Sequence, residues 1–171
     1  GQEALEKAIS FGFPVILKAA AGGGGRGMRL CEMPEDVIPA FELVKNEARK
    51  AFGNDDIFIE KYLVQPKHIE VQILADGSGE VIHLFERDCS VQRRHQKVIE
   101  LAPAPNLSPE LRAQICSGAV TFASRIGYFC AGTVEFLYHP GQHLFAFLEV
   151  NTRLQVEHPI TEVTNEFDLV K

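Results

Sequence analysis

The 171-residue sequence predicts an α+β fold made of two lobes. The first observation is the strict alternation of apolar and polar residues over 67–75, followed by the turn pair Asp76-Gly77, which is typical of antiparallel strands. The second is the helical spacing of apolar residues in several other segments. The third is the pair Gln65-Pro66, which interrupts the strand pattern. We therefore predict a smaller lobe over residues 1–63 and a larger lobe with an antiparallel sheet over residues 64–171.

Composition and charge exclude several classes of protein. The net charge of −6 and the isoelectric point near 5.5 argue against nonspecific nucleic-acid binding, although a basic run at Arg93, Arg94 and Lys97 suits a phosphate-sized anion. No apolar run approaches the ~18 residues of a membrane span, and no signal peptide is visible. The four cysteines are far apart, which indicates reduced thiols and neither a zinc site nor a disulfide framework. Because the sequence opens at Gly1 and stops after an apolar run, we expect it to be part of a longer chain.

The first lobe begins with a predicted helix that ends near Gly12 and a buried strand over 14–19. Residues 22–27 read Gly-Gly-Gly-Gly-Arg-Gly and precede another strand-like segment, so we predict a hairpin loop and not the strand-to-helix turn of a Rossmann site. Without Cβ atoms, this loop can close its backbone N–H groups over phosphate oxygens, with Lys18 as a nearby positive charge. A flexible linker is the alternative interpretation.

The remainder of the first lobe is predicted to be a helix and a strand. Asp36 is expected to cap the helix, which puts Pro39 in the first turn, where its missing N–H breaks no bond. Gly53 is expected to end the helix. Residues 57–62 then alternate as a strand.

The second lobe carries polar side chains on one face of its first predicted strand. In 67–75, the apolar residues Ile69, Val71 and Ile73 alternate with His68, Glu70 and Gln72, so one face is core and the other lines a cleft or faces solvent. Another strand is predicted over 80–87. The following segment, 88–100, is too polar for a core strand, and a solvated sheet edge is the alternative to a functional role. Its polar run consists of Gln92, Arg93, Arg94, His95, Gln96 and Lys97.

A helix and a final hairpin complete the predicted fold. Ser108 followed by Pro109 is a favourable helix start. The buried face of this helix is expected to consist of Leu111, Ile115, Ala119, Phe122 and Ile126. Two strands, over 133–138 and 144–151, are expected to form the hairpin, and a last helix is expected to begin near Pro159.

The stretch most dense in functional groups is 149–158, in which seven of ten side chains are polar directly after an apolar strand. Period-two geometry puts Glu149 and Asn151 on one face, about 7 Å apart. Together with Glu135 in the preceding strand, these oxygen donors suit magnesium. The alternative is that Glu149 ends a strand at the solvent and that Arg153 pairs with a nearby acid.

The geometry of this hairpin restricts the magnesium hypothesis. A two-residue turn at Pro140-Gly141 would send Glu135 and Glu149 to opposite faces of the sheet. A loop with an odd number of residues, or one bulge, returns them to a common face. We therefore predict one of these two features, with the two carboxylates within roughly 4 to 6 Å of each other.

Taken together and in this order along the chain, these segments resemble the ATP-grasp core of biotin carboxylase. The resemblance is carried by Lys18 with its glycine loop, by Glu60-Lys61-Tyr62-Leu63, by the run over 86–97, by Glu135 and by residues 149–158. The Arg-Asp-Cys-Ser and Asn-Thr-Arg-Leu-Gln-Val-Glu-His segments, in this order, distinguish biotin-dependent carboxylases from other ATP-grasp ligases. The resemblance implies an ATP-grasp fold in which residues 1–63 belong to the lid and residues 64–171 to the main lobe.

The resemblance also implies a role for each matching residue. The ATP-binding residues would be Lys18, Gly24 and Gly25 at the phosphates, Glu60, Lys61 and Leu63 at the adenine, and His68, Gln92 and His95 at the ribose and phosphates. The ligands of magnesium or manganese would be Glu135, Glu149 and Asn151. The bicarbonate site would consist of Lys97, Arg153, Gln155, Val156 and Glu157, of which Lys97, Arg153 and Glu157 would be catalytic.

The implied activity is the ATP-dependent carboxylation of biotin by bicarbonate through carboxyphosphate. Glu157 would take the proton of bicarbonate while Lys97 and Arg153 hold the anion in line with the γ-phosphate. The implied partners are biotin on a carboxyl carrier domain and a carboxyltransferase component, with no nucleic acid and no membrane. The complete protein is expected to be a homo-oligomer in the cytoplasm, or in the mitochondrial matrix of a eukaryote. A non-catalytic nucleotide-binding fragment and another ATP-grasp ligase that forms an acyl phosphate are the alternatives.

Overall fold

The structure, a computed structural model, describes residues 1–22, 27–94, 96–142 and 144–171. They form two compact units, Gly1–Val64 and Gln65–Lys171. The sequence placed the boundary between residues 63 and 64. Each unit has its own sheet and its own hydrophobic core. Within the described part of the chain, no helix is both long enough and apolar enough to cross a membrane.

The first unit is a three-stranded antiparallel sheet with two helices. Its elements are α1 (Gln2–Phe11), β1 (Val15–Ala19), β2 (Met28–Cys31), α2 (Pro34–Phe52) and β3 (Ile57–Lys61). β1 is the central strand and pairs with β2 on one side and β3 on the other, so the predicted hairpin is confirmed. The alternating residues Val15 and Leu17 of β1 are fully buried in one core with Ala8 of α1 and Val44 of α2.

The start of α2 differs from the prediction. Met33 is the N-cap, and Asp36 lies at the third helical position, where Oδ2 accepts hydrogen bonds from the backbone N–H groups of Glu32 (2.9 Å) and Met33 (3.1 Å). Asp36 therefore satisfies the helix start by reaching backwards. Because the helix begins earlier than expected, Pro39 lies in the second turn, beyond the N–H groups that have no intrahelical partner, and the first-turn prediction is wrong. Gly53 ends α2 as predicted, with φ 67°.

The second unit is a five-stranded antiparallel sheet with two helices. Its elements are β4 (Lys67–Ala75), β5 (Val81–Arg93), β6 (Gln96–Leu101), α3 (Pro109–Arg125), β7 (Cys130–His139), β8 (Leu144–Asn151) and α4 (His158–Asn165). The strand order is β6-β5-β4-β7-β8, so β4 is the central strand. A short 3₁₀ turn, Pro140–Gln142, follows β7.

The core of the second unit lies between β4 and α3. Ile69, Val71 and Ile73 of β4 are fully buried and share one cluster with Ile115 of α3. The opposite face of β4 is also buried but polar, which a packed core would not require.

The two ends of α3 differ in how well the sequence predicted them. Ser108 is the N-cap as expected, and its Oγ accepts a hydrogen bond from the backbone N–H of Leu111 at 3.2 Å. The helix ends at Arg125, and Ile126 is 56% exposed. The prediction that Ile126 belongs to the buried face is therefore wrong, because the residue lies after the last helical turn.

Within 88–100, residues 88–93 form the end of β5 and residues 96–100 most of β6, which pairs with β5 at one edge of the sheet. The solvated-edge interpretation is therefore correct for the position of β6. It does not describe the whole segment, because Asp88 is buried and Lys97 forms three ion pairs with carboxylates.

One bulge sets the register between β7 and β8. The pairing of Phe136 with Phe147 gives way to the pairing of Glu135 with Glu149, so β8 has one extra residue at this point. The predicted bulge is confirmed, and Glu135 and Glu149 face the same side of the sheet.

The bulge also corrects the predicted alternation of β8. Uninterrupted alternation along 144–151 would put Phe147 on the same face as Glu149. In the structure Phe147 pairs with Phe136 and its ring lies 5.0 Å from the ring of Phe122, centroid to centroid. Phe147 is therefore on the core side, because the extra residue reverses the facing of the side chains that follow it.

Candidate functional site

The carboxylate of Glu135, on the polar face of β7, is the centre of the candidate site. Its Oε2 lies 2.6 Å from His68 Nε2, and its Oε1 accepts hydrogen bonds from Asn151 Nδ2 (2.7 Å) and Lys97 Nζ (2.9 Å). Burial alone would raise the pKa of Glu135, but the hydrogen bonds from His68 and Lys97 lower it to about 2. Glu135 is therefore a carboxylate at neutral pH, although it is almost completely buried.

Lys97 joins three carboxylates from three different elements. Its Nζ donates to Glu135 Oε1 and Glu157 Oε1, each at 2.9 Å, and to Glu70 Oε2. Burial alone would lower the pKa of Lys97, but the neighbouring carboxylates, Glu70 first among them, raise it well above its usual value. Lys97 thus carries a permanent positive charge where a small anion would need one.

Glu157 lies at the N-cap of α4 and points its carboxylate at Lys97. Burial raises the pKa of Glu157, but the hydrogen bond from Lys97 outweighs burial and lowers the pKa below its usual value. The side chain is therefore ionised and able to accept a proton.

His68 and Gln92 form a chain of contacts that ends at Glu135. Gln92 Nε2 donates to the backbone carbonyl of Cys89 at 2.9 Å and lies 2.8 Å from His68 Nδ1. An amide donor at Nδ1 makes that nitrogen the acceptor, so Nε2 carries the proton and donates to Glu135. The predicted nucleotide residues His68 and Gln92 are therefore in direct contact.

The three predicted metal ligands share one face of the β7–β8 hairpin. Glu149 is paired with Glu135, and Asn151 follows Glu149 at the next position on that face. Carboxylate and amide oxygens are hard ligands of the kind that magnesium prefers. The donor set therefore fits a magnesium ion, with the exposed Glu149 as the ligand open to solvent. The predicted separation of the Glu135 and Glu149 carboxylates stays a prediction.

Gln155 and Arg153 lie in the segment between β8 and α4. Gln155 is buried and its Nε2 lies 3.5 Å from Glu135 Oε1, whereas its Oε1 has no hydrogen-bond partner among the described residues. Arg153 is exposed and donates to the backbone carbonyl of Leu154 at 3.3 Å. No ion pair joins Arg153 to an acid within the described ranges, so the structure does not support that half of the alternative. The other half agrees with the structure, because Glu149 is exposed near the end of β8. Val156 is 91% exposed.

In the first unit, the predicted ATP-binding residues contact one another or the backbone. Lys18 Nζ forms an ion pair with Glu60 Oε2. Lys61 Nζ donates to the backbone carbonyls of Gly12 (2.8 Å) and Phe13 (2.9 Å). The predictions for Gly24, Gly25 and His95 lie outside the described residues, whereas Leu63 is described and buried.

Sequence reasoning missed two residues of the site, Glu70 and Arg87. Both are fully buried, and Arg87 Nε donates to Glu70 Oε1 at 2.6 Å while Glu70 Oε2 accepts from Lys97. The available signal was the position of Glu70 between His68 and Gln72 on the polar face of β4. Its burial could not be read from alternation, because an alternating strand equally fits a solvated face.

Comparisons with known proteins agree with this geometry. The model of the family described as "Carbamoyl-phosphate synthase L chain, ATP binding domain" matches residues 1–171. The chain is 55% identical over 173 aligned residues to pyruvate carboxylase of Bacillus subtilis, covering 99% of this chain and 15% of that protein. It is 51% identical over 170 residues to the chloroplastic biotin carboxylase 2 of Populus trichocarpa, covering 99% of this chain and 32% of that protein. The chain thus spans about a third or less of these relatives.

Solved structures give the same result. The biotin carboxylase of Campylobacter jejuni, described as a β-γ-ATP complex, aligns with TM-score 0.89 and 48% identity, covering 99% of this chain and 38% of that one. The biotin carboxylase domain dimer of Hydrogenobacter thermophilus 2-oxoglutarate carboxylase, solved with MgADP, ADP and bicarbonate, aligns with TM-score 0.87 and 51% identity, covering 99% and 37%. The predicted α+β ATP-grasp fold and the predicted resemblance to biotin carboxylase are confirmed.

Proposed function

This chain belongs to the family of carbamoyl-phosphate synthase L chain ATP-binding domains, and on that premise we propose that it is the ATP-grasp core of a biotin carboxylase. The observation that carries the proposal is the position of Lys97, whose ammonium group contacts both Glu135 and Glu157. One cation thus joins a residue suited to hold a metal-bound nucleotide to a residue suited to take a proton. A phosphoryl transfer to bicarbonate requires both functions at one place.

In the proposed enzyme, ATP is bound by the residues that match the family. Lys18, Gly24 and Gly25 contact the phosphates, Glu60, Lys61 and Leu63 hold the adenine, and His68, Gln92 and His95 lie at the ribose and phosphates. Glu135, Glu149 and Asn151 hold magnesium or manganese, which neutralises charge on the phosphates when it is bound.

Bicarbonate is bound by Lys97, Arg153, Gln155 and the segment at Val156. The Glu157 carboxylate accepts the proton of bicarbonate, and the freed oxygen attacks the γ-phosphorus of ATP. The bond from that phosphorus to the β-phosphate oxygen breaks, and its electron pair leaves with ADP. Carboxyphosphate then breaks down to carbon dioxide and phosphate.

Biotin receives the carbon dioxide in the last step. The phosphate takes the proton of the ureido nitrogen, Arg153 stabilises the resulting enolate, and the nitrogen attacks carbon dioxide to give carboxybiotin. The biotin is carried by a carboxyl carrier domain and a carboxyltransferase component receives the carboxyl group, in line with relatives that are subunits or domains of larger carboxylases. We further propose a homo-oligomer in the cytoplasm or the mitochondrial matrix, where the free thiols of Cys31, Cys89, Cys116 and Cys130 remain reduced.

The test is ATP hydrolysis by the complete protein that carries this chain, measured with and without bicarbonate and free biotin. Hydrolysis that requires bicarbonate and is stimulated by biotin, with carboxybiotin formed, supports the proposal. Nucleotide binding without turnover would favour a non-catalytic module. Turnover that requires another carboxylic acid, and not bicarbonate, would favour a different ATP-grasp ligase.

A further inference from the structure

Four hydrogen bonds and one turn of α4 form a closed ring around the buried carboxylate of Glu70. Arg87 Nε donates to Glu70 Oε1 at 2.6 Å, and Arg87 Nη1 donates to Thr161 Oγ1 at 2.8 Å. On the other side, Lys97 donates to Glu70 Oε2 and, at 2.9 Å, to Glu157 Oε1. Thr161 and Glu157 are four residues apart at the start of α4, which closes the ring.

The Arg87 half of this ring is inaccessible to water. Arg87 and Glu70 have no exposed surface, and Thr161 is 2% exposed. Arg87 Nη1 also donates to the buried Gln72 Oε1 at 3.0 Å. Because the guanidinium group is planar and its donors have fixed directions, it holds Glu70 and Thr161 in one relative position.

The contact with Thr161 fixes the beginning of α4, the end that carries Glu157. At the other end, Asn165 Nδ2 donates to the backbone carbonyl of Leu84 at 3.4 Å. Thr161 lies one turn after Glu157 on the same helical face, so a rotation of α4 that broke the Arg87 contact would also turn Glu157 away from Lys97.

We propose that Arg87 is a positioning residue that, by holding Glu70 and Thr161 together, keeps Glu157 and Lys97 in place for the bicarbonate step. The inference rests on the proposed function and adds a residue to it. Arg87 acts only through Glu70 and Thr161. Its loss therefore affects bicarbonate more than ATP.

Thr161 offers the sharper test, because a matched pair of variants separates its hydroxyl group from its shape. Thr161→Val removes the acceptor of Arg87 Nη1 and keeps the branched side chain, whereas Thr161→Ser keeps the acceptor. In the complete protein, we expect Thr161→Val to raise the KM for bicarbonate at least ~5-fold, with the KM for ATP changed less than ~2-fold. Thr161→Ser should stay within ~2-fold of the unmodified protein in both values.

Two further variants complete the set. Thr164→Val removes a hydroxyl group from the same helix that donates to the backbone carbonyls of Ile160 and Thr161 and accepts from Asn165 Nδ2 at 3.3 Å. Among the described residues it contacts no side chain of the ring, so both KM values should remain unchanged. Arg87→Lys keeps the charge beside Glu70 but loses the guanidinium geometry that reaches Thr161. It should raise the KM for bicarbonate as Thr161→Val does.

Hydrogen exchange gives a readout that does not depend on the reaction. Amides of residues 152–158 should exchange faster in Thr161→Val than in Thr161→Ser, with the amides of β4 equally protected in both. Equal exchange in this segment together with equal bicarbonate KM values, even if Thr161→Val melts at a lower temperature, would overturn the positioning role. An unmodified protein without bicarbonate-dependent turnover would refute the proposed function, and the exchange data would still decide whether the ring positions Glu157.

Discussion

Glu135 and Glu149 lie directly opposite each other across β7 and β8, on the face of the sheet away from the hydrophobic core. The cause is the bulge in β8. Without it, the register of the residues nearer the turn would continue and pair Glu135 with Leu148. Two acids held side by side repel each other unless a cation lies between them or close by. Lys97 is a cation that contacts Glu135 in the structure, and magnesium is the further cation that we propose.

Glu149→Gln is expected to weaken metal binding more than it weakens folding. The substitution removes one negative charge from the proposed ligand set and leaves an exposed side chain of the same size. The magnesium concentration for half-maximal ATP hydrolysis should rise at least about tenfold. Glu80→Gln, an exposed acid of the same unit, is the matched control and should leave the magnesium dependence unchanged. An unshifted magnesium titration for Glu149→Gln would remove Glu149 from the metal site.

Glu157→Gln is expected to separate nucleotide binding from turnover. The amide cannot accept the bicarbonate proton, so carboxylation in the complete protein should fall at least ~100-fold while the affinity for ATP stays nearly intact. Rapid-quench measurement of carboxybiotin, together with equilibrium binding of a nonhydrolysable ATP analogue, tests both halves. A loss of only twofold in turnover would be incompatible with the proton-acceptor role.

Because of Asp88, the second unit should be less stable at acidic pH than at neutral pH. Burial raises the pKa of Asp88, but hydrogen bonds from Lys67 and Ser90 outweigh burial and lower it below its usual value. Folding therefore favours the ionised form, and this stabilisation is complete above about pH 4 and is lost as the pH falls through the folded-state pKa. Asp88→Asn should lower the free energy of unfolding by about 1–3 kcal/mol near neutral pH.

Urea unfolding at a series of pH values measures this effect. The difference in the free energy of unfolding between Asp88→Asn and the unmodified protein should shrink below about pH 4, because protonated Asp88 no longer forms an ion pair with Lys67. Glu166→Gln, at an exposed position, is the control and should show no such dependence. A difference that stays constant across the pH range would contradict the ionic origin of the stabilisation.

Two isoleucines of the α3 region test the corrected boundary of that helix. Ile115 is fully buried in the core with β4, so Ile115→Ala should lower the free energy of unfolding by about 2–5 kcal/mol. Ile126 follows the helix and is exposed, so Ile126→Ala should change the free energy of unfolding by less than about 0.5 kcal/mol. Chemical denaturation of the two variants side by side is the measurement, and similar losses would mean that Ile126 is buried after all.

The sequence alone determined the elements whose local patterns are unambiguous. Alternation over 67–75 predicted β4, the Ser108-Pro109 pair predicted the start of α3, and Gly53 predicted the end of α2. The order of the polar segments was sufficient to indicate the family, because these residues follow each other along the chain. Such signals are carried by neighbouring residues and need no knowledge of tertiary packing.

The tertiary structure decided which polar residues are buried together. Alternation placed Glu70 on the polar face of β4, but only the five-stranded sheet with α4 shows that Arg87 and Lys97 meet its two oxygens. The bulge was predicted from the requirement of a common face, yet its position, and with it the facing of Phe147, follows from the pairing of β8 with β7. The physical reason is that ion pairs and strand register join residues far apart in sequence, whereas periodicity reports only on local geometry.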